Sequence, residues 1–215
     1  MAGWRAVSSE DGWPDVPGDT ALTIRVPEAD ACVRAPFPAH ITVLYPFLPA
    51  TRITPEVHAE LAALFADRDP LDLTFAEFRR YPGVLYLPPA PEDPVRALTR
   101  AVRERWPEAV PYRGVFGPDG LDPHLTLAND EGPETYETAY DALERELRPM
   151  LPVTARVGSV RLIVTDGQVW EDMAVYELGR SPAQPASPIP SAQPVRPAAP
   201  AQVLRAQSTA LSRRS

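Results

Sequence analysis

The apolar positions along the chain alternate between two periods, and the switches between them divide the sequence into elements. "TALTIRVP" and "HITVLYPF" place apolar residues at every second position and predict strands. "TPEVHAELAALFADR" moves to spacings of three and four and predicts a helix, with Thr54 as N-cap and Pro55 in the first helical position. "LDLTFAEF" and "GVLYLPP" then read as strands, and "DPVRALTRAVRERW" as a helix entered through Pro94. The second half runs through a strand in "HLTLA", a helix in "PETYETAYDALERELRPM" and two strands, "VTARVGSVRLIVTD" and "QVWEDMAVYELG", joined by a tight turn at Asp166 and Gly167. Strands and helices interleaved in this way predict an α+β fold.

One short pattern occurs twice. His40, Ile41, Thr42 and Val43 are matched by His124, Leu125, Thr126 and Leu127, which uses two of the chain's three histidines. Each copy lies on a strand that is followed by a helix and then two strands, a weak internal duplication. Two lobes related by a pseudo-twofold would set the motif strands side by side in one cleft. Alternation along a strand puts His40 and Thr42 on one face and Ile41 and Val43 on the other, and likewise for the second copy. Each motif therefore aims an imidazole and a hydroxyl outward and an apolar pair into the core.

Two imidazoles suit phosphodiester chemistry near neutral pH. One, neutral, accepts a proton from the nucleophile, while the other, charged, gives one to the leaving oxygen. Threonine hydroxyls donate to the non-bridging phosphate oxygens. No cofactor is needed for this scheme. The competing use of the histidines is a metal site completed by Asp122, but the helical i, i+4 histidine pair and the Cys/His cluster typical of such sites are absent. His58 lies on an amphipathic helix among charged neighbours and reads as a surface residue.

Length and composition narrow the setting. A chain of 215 residues can bury one substantial core, shared by two small lobes if the duplication is real. No apolar run approaches the length that crosses a bilayer, and the opening residues lack the features of a secretory signal, so a cytoplasmic protein is expected. Cys32, the single cysteine, reads as a small, partly buried thiol. The expected organisation is an irregular lead over 1–19, one bilobal domain over 20–179, and a disordered tail over 180–215, which is rich in Pro, Ala, Ser and Gln. The net charge of −8 includes four arginines and no acid over residues 181–215, so the body is more acidic than that total. An acidic body is a poor general binder of nucleic-acid backbone. A monomer with no stable protein partner is expected.

"HITVLYPF" and "HLTLA" resemble the paired His-x-Thr-x signature of the two-histidine phosphoesterase superfamily, in particular its bacterial 2′-5′ RNA ligase-like branch. The resemblance covers roughly residues 20–179 and includes the "YPF" after the first motif and the late hairpin ending in "VYELG". It implies a bilobal α+β fold of two pseudosymmetric antiparallel sheets flanked by helices, with the four motif residues facing one another across a central cleft. It also implies metal-independent hydrolysis of the 2′,3′-cyclic phosphate of a partner that is a small nucleotide or an RNA terminus, His40 and His124 being the proton-transfer pair and Thr42 and Thr126 the phosphate holders. Within that pair, it makes His124 the base for the attacking water and His40 the acid for the departing 2′-oxygen. Arg79, Arg80 and Arg113 are candidates for a further phosphate or base contact, and Tyr45, Tyr86 and Phe116 for stacking on a base. Alternatives within this reading are 2′-5′ RNA ligation, in which a ribose hydroxyl takes the attacking position, and a nucleotide- or phosphate-binding module without catalysis.

Overall fold

The computed structural model describes residues 16–179 apart from 36, 118–119 and 130–135. The tail expected over 180–215, and the part of the expected lead that spans 1–15, lie outside the described residues.

The elements run β1 (Thr20–Arg25), β2 (His40–Leu44), α1 (Pro55–Ala66), β3 (Leu71–Phe75), β4 (Arg79–Tyr81), β5 (Val84–Leu87), α2 (Asp93–Arg105), β6 (Leu125–Ala128), α3 (Tyr136–Leu147), β7 (Val153–Val157), β8 (Ser159–Thr165) and β9 (Trp170–Glu177). Seven strands form an antiparallel sheet in the order β4-β5-β6-β2-β1-β8-β9, and β3 pairs antiparallel with β7 in a second, two-stranded sheet. The halves of the large sheet meet between β6 and β2, where the register pairs Ile41 with Leu125.

Those two residues hold the same place in the two motifs, so the pseudo-twofold passes between them. The duplicated unit is strand, motif strand, helix, strand, strand: β1-β2-α1-β3-β4 and β5-β6-α3-β7-β8, with α2 inserted in the second copy and β9 added at the edge. The sequence pattern placed the start of each repeat at its motif strand; the structure moves it one strand earlier. The last strand of each repeat pairs with the first strand of the other, β4 with β5 and β8 with β1, so neither lobe is complete without strands from both repeats.

Two further differences from the sequence pattern are local. "VTARVGSVRLIVTD" is not one strand, since it breaks at Gly158 into β7 and β8, which belong to different sheets. β4 was not expected at all. Its three residues are too few to show a period, and it exists as the partner of β5 across the Pro82-Gly83 turn, where Gly83 has φ +78°. His58, expected at the surface, is half-buried, and its Nδ1 lies 2.7 Å from the Tyr176 hydroxyl on β9. Cys32 is buried to 1% exposure, and burial pushes its thiol pKa up.

The helices form where the pattern placed them. Thr54 accepts from the Val57 amide at 3.4 Å to cap α1, which buries Leu61 and Phe65. α2 buries Val95, Leu98, Ala101 and Val102, the stripe that its 3.6-residue period predicts, and packs against β2. There the Thr99 hydroxyl donates to the Val43 carbonyl at 2.8 Å. The Tyr140 hydroxyl of α3 donates to the Gly83 carbonyl at 2.8 Å, tying that helix to the β4-β5 turn. No helix among the described residues is long and apolar enough to cross a membrane.

Candidate active site

Both motifs alternate as expected. Ile41, Val43, Leu125 and Leu127 are 0–3% exposed, whereas His40, Thr42, His124 and Thr126 are half-exposed on the opposite side of the strands. Burying each of these apolar side chains is worth roughly 1.5–3 kcal/mol. The motif's hidden half therefore fixes the height and direction of its polar half.

The two histidines are held in the same way. His40 Nδ1 lies 2.8 Å from the Pro38 carbonyl, and His124 Nδ1 lies 2.6 Å from the Asp122 carbonyl, in each case the residue two places before. A carbonyl only accepts, so each Nδ1 carries hydrogen and Nε2 is the nitrogen left to take up or release a proton. Burial lowers both pKa values below the ordinary 6.5. At His40 the Arg25 guanidinium, opposite it in the β1-β2 register, adds to the lowering, and at His124 the charge of His40 does so; the carbonyl bonds oppose it in both. The effect of His40 on His124 places the two imidazoles within electrostatic reach of each other.

Asp122 does not complete a metal site with them. Its carboxylate pairs with Arg96 at 2.8 Å, and its carbonyl is the hydrogen-bond partner of His124. Among the described residues, no group of three or more His, Cys, Asp and Glu side chains is placed to hold a metal ion.

The flanks of the pseudosymmetric centre differ sharply. Beside His124 stand two rings: Tyr86, whose centroid is 5.5 Å from the imidazole, and Tyr81, at 5.8 Å, themselves stacked at 4.4 Å. Beside His40 opens a cleft of about 920 Å³, lined by Thr23 and Arg25 of β1, His40 and Thr42 of β2, Arg161 of β8, Trp170 of β9 and their neighbours. Neither His124 nor Thr126 lines it.

At the Thr42 end a loop reaches in. Tyr112 and Arg113 both adopt left-handed backbone, at φ 48° and 52°, a conformation costing about 1–2 kcal/mol for each non-glycine residue. Several contacts hold it. The Tyr112 amide donates to the Tyr45 carbonyl at 2.6 Å, the Tyr112 hydroxyl hydrogen-bonds Thr42, and Arg113 pairs with Asp19. Burial pushes the Tyr112 phenol up to about 12, so it stays protonated.

The residues expected to contact substrate are thus divided. Tyr45 lines the cleft, with its ring 5.6 Å from Trp170, and Tyr86 is packed on His124. Arg113 reaches the Tyr45 hydroxyl at 3.4 Å, and Phe116 lies edge-on to Tyr112 at 5.3 Å, so both act at one remove. Arg79 shares the face of Tyr86 by register but pairs with Glu77 and Glu92 beside a separate, smaller pocket. Arg80 projects from the other face of the sheet, where Asp141 and Glu144 of α3 bind it at 2.7 Å. A shift of one residue along a strand reverses the face, which separates Arg80 from the site. Sequence reasoning missed Arg25, Arg161, Trp170, Tyr81 and Tyr112. For Arg25 the signal was present: it shares the parity of Thr23 in a strand that needed only to be placed beside β2.

Comparison with known proteins sets the chain in context. The sequence description of the 2′-5′ RNA ligase superfamily matches residues 22–169. Among curated proteins none matches. The fold is similar to a crystal structure titled as a phosphoesterase, with 16% identity, 76% of this chain and 99% of the other covered, and a TM-score of 0.50. Escherichia coli LigT complexed with 3′-AMP aligns at 15% identity over 76% and 99% of the two chains, with a TM-score of 0.49. TT0787 of Thermus thermophilus aligns at 19% identity over 76% and 100%, with a TM-score of 0.49.

Proposed function

The chain belongs to the 2′-5′ RNA ligase superfamily, and from that premise we propose that it is a metal-independent phosphodiesterase that hydrolyses the 2′,3′-cyclic phosphate of a small nucleotide or an RNA terminus. The observation that carries this reading is the pair of imidazoles, each with Nδ1 fixed by a backbone carbonyl and Nε2 left for proton transfer. Binding alone needs no such pair.

In the proposed reaction the cyclic phosphate lies between the two motifs, its non-bridging oxygens accepting from Thr42 and Thr126. His124 Nε2 takes a proton from water as the water oxygen bonds to phosphorus. The phosphorus–O2′ bond breaks, and His40 Nε2–H⁺ gives its proton to the departing 2′-oxygen. The product is a 3′-monoester, and the net proton transfer runs from His40 to His124. The room in the site supports this division of roles. The 2′-oxygen leaves with the ribose attached, which needs the space available beside His40. Tyr81 and Tyr86 crowd His124, where only water must fit.

The test is incubation with 2′,3′-cyclic nucleotides and with RNAs ending in a cyclic phosphate, with and without chelator, the products being identified as 2′- or 3′-monoesters. Chelator-resistant release of a 3′-monoester from the small substrates is expected. Activity restored only by a divalent ion, or joining of RNA ends without hydrolysis, would overturn the reading.

A further inference from the structure

A centre with two equivalent His/Thr pairs cannot orient a substrate by itself, because it looks the same from either side. Orientation must come from what flanks it. About the pseudo-twofold, Thr23 of the first lobe corresponds to Tyr86 of the second, and Arg161 to Arg79: Thr23 lies opposite Thr42 and Arg161, while Tyr86 lies opposite Thr126 and Arg79. Counted the same way, Arg25 corresponds to Pro88. The second lobe thus lacks one arginine and has its other, Arg79, occupied by Glu77 and Glu92.

In the first lobe both arginines line the large cleft. Arg25 is two residues from Thr23 on the same face of β1, and Arg161 is directly across from Thr23 on β8, so the two are diagonal neighbours, about 7–8 Å apart at the backbone. Arg161 is paired with Asp172, which also lines the cleft, while Arg25 reaches Asp30 at 3.3 Å. Arg25 Nη1 is buried and has no hydrogen-bond partner among the described residues, a costly state for a charged donor. Two guanidiniums and one carboxylate line this cleft in a protein whose net charge is −8.

The geometry points to a second anion subsite at Arg25 and Arg161, one and two strands beyond the His40 imidazole, which takes a phosphate on the 5′ side of the same nucleoside. The inference rests on the cyclic-phosphate reading and narrows it: the preferred substrate carries a 5′-phosphate, as a nucleotide or as the last residue of a short oligonucleotide. Adjacent strands lie about 4.8 Å apart, so the distance from β2 to the arginines of β1 and β8 suits the span of one ribose. The guanidinium of Arg25 turns its fork from the long Asp30 contact to the incoming oxygen. The polarity of the substrate is then fixed, with ribose and 5′-phosphate beside His40 and the water beside His124.

The test is calorimetric binding of two non-reacting probes, adenosine 3′,5′-bisphosphate and adenosine 3′-monophosphate, to the full chain. The bisphosphate should bind about tenfold more tightly or better. That ratio should fall toward one in Arg25→Gln and in Arg161→Gln, each checked for an unchanged circular dichroism spectrum. It should persist in Arg156→Gln, which removes a like charge outside the cleft, where Arg156 pairs with Asp72. Equal binding of the probes, including no binding of either, would overturn the subsite, as would a ratio that survives both cleft substitutions. Failure of the cyclic-phosphate reading shows separately, as hydrolysis that does not depend on His40 and His124.

Discussion

Ile41 and Leu125, each the residue after a motif histidine, face each other directly across the junction of β2 and β6. Both are fully buried. The pair lies where the two halves of the large sheet meet, so it bears on the separation of the histidines as well as on the core. Leu125→Ala should lose about 2–5 kcal/mol in a denaturant titration, and Ile41→Val about 0.5–1.5 kcal/mol. If the pair also spaces the site, Leu125→Ala should lower kcat under conditions where it remains folded. A folded variant with normal turnover would show that the halves keep their spacing without it.

His40→Ala and His124→Ala should each lower turnover by about 10²–10⁴-fold, the usual worth of a positioned proton-transfer group. His58→Ala provides the contrast. It removes the contact to the Tyr176 hydroxyl between α1 and β9, so it should cost on the order of 1 kcal/mol in stability and leave kcat/KM unchanged. A kinetic effect of His58→Ala equal to that of the motif variants would remove the special place given to the two motifs.

The pH dependence follows from the direction of the imidazole shifts. His40 and His124 both titrate below 6.5 in the free protein, so both limbs of the kcat/KM profile should lie on the acid side of that value. Arg25→Gln removes a cation facing His40 and should move one limb to higher pH. The same shifts bear on stability. The unfolded chain binds these protons more readily than the folded one, so the histidines' contribution is complete above about 6.5 and is lost as pH falls from there through their folded values. The melting temperature should therefore fall between pH 7 and pH 5, and fall less in the His40→Ala, His124→Ala double variant. An equal fall in both would place the acid sensitivity elsewhere.

How much of this was legible in the chain depends on how far each signal reaches. The apolar half of each motif, the cap at Thr54 and the stripe of α2 are local patterns, and each appears where its period placed it. The exchange of β4 and β8 between repeats is not local: "RRY" and "SVRLIVT" say nothing of which strand they will pair with. Gly158 looked like an ordinary strand glycine, yet it is the point where the chain leaves one sheet for the other. The arginines show the same limit. Arg80 and Arg161 are both strand residues, and only register decides that one binds acids on α3 while the other enters the cleft.

The division of labour between the histidines has a direct test. Arg25 faces His40 and weakens its hold on a proton, which makes the imidazolium a stronger acid once the negative charge of the bound substrate has favoured its uptake of a proton from solvent. In the proposed reaction the departing ribose would occupy the open cleft beside His40. His40 is therefore the proposed acid and His124 the proposed base. A phosphodiester with a nitrophenolate leaving group needs no proton on the departing oxygen, so it should rescue His40→Ala by a factor approaching the loss that the variant shows on cyclic nucleotides, and should rescue His124→Ala very little. Rescue of His124→Ala alone would exchange the two roles. Equal rescue of both, or of neither, would mean that the two imidazoles share each proton transfer and that the asymmetry of the cleft serves binding only.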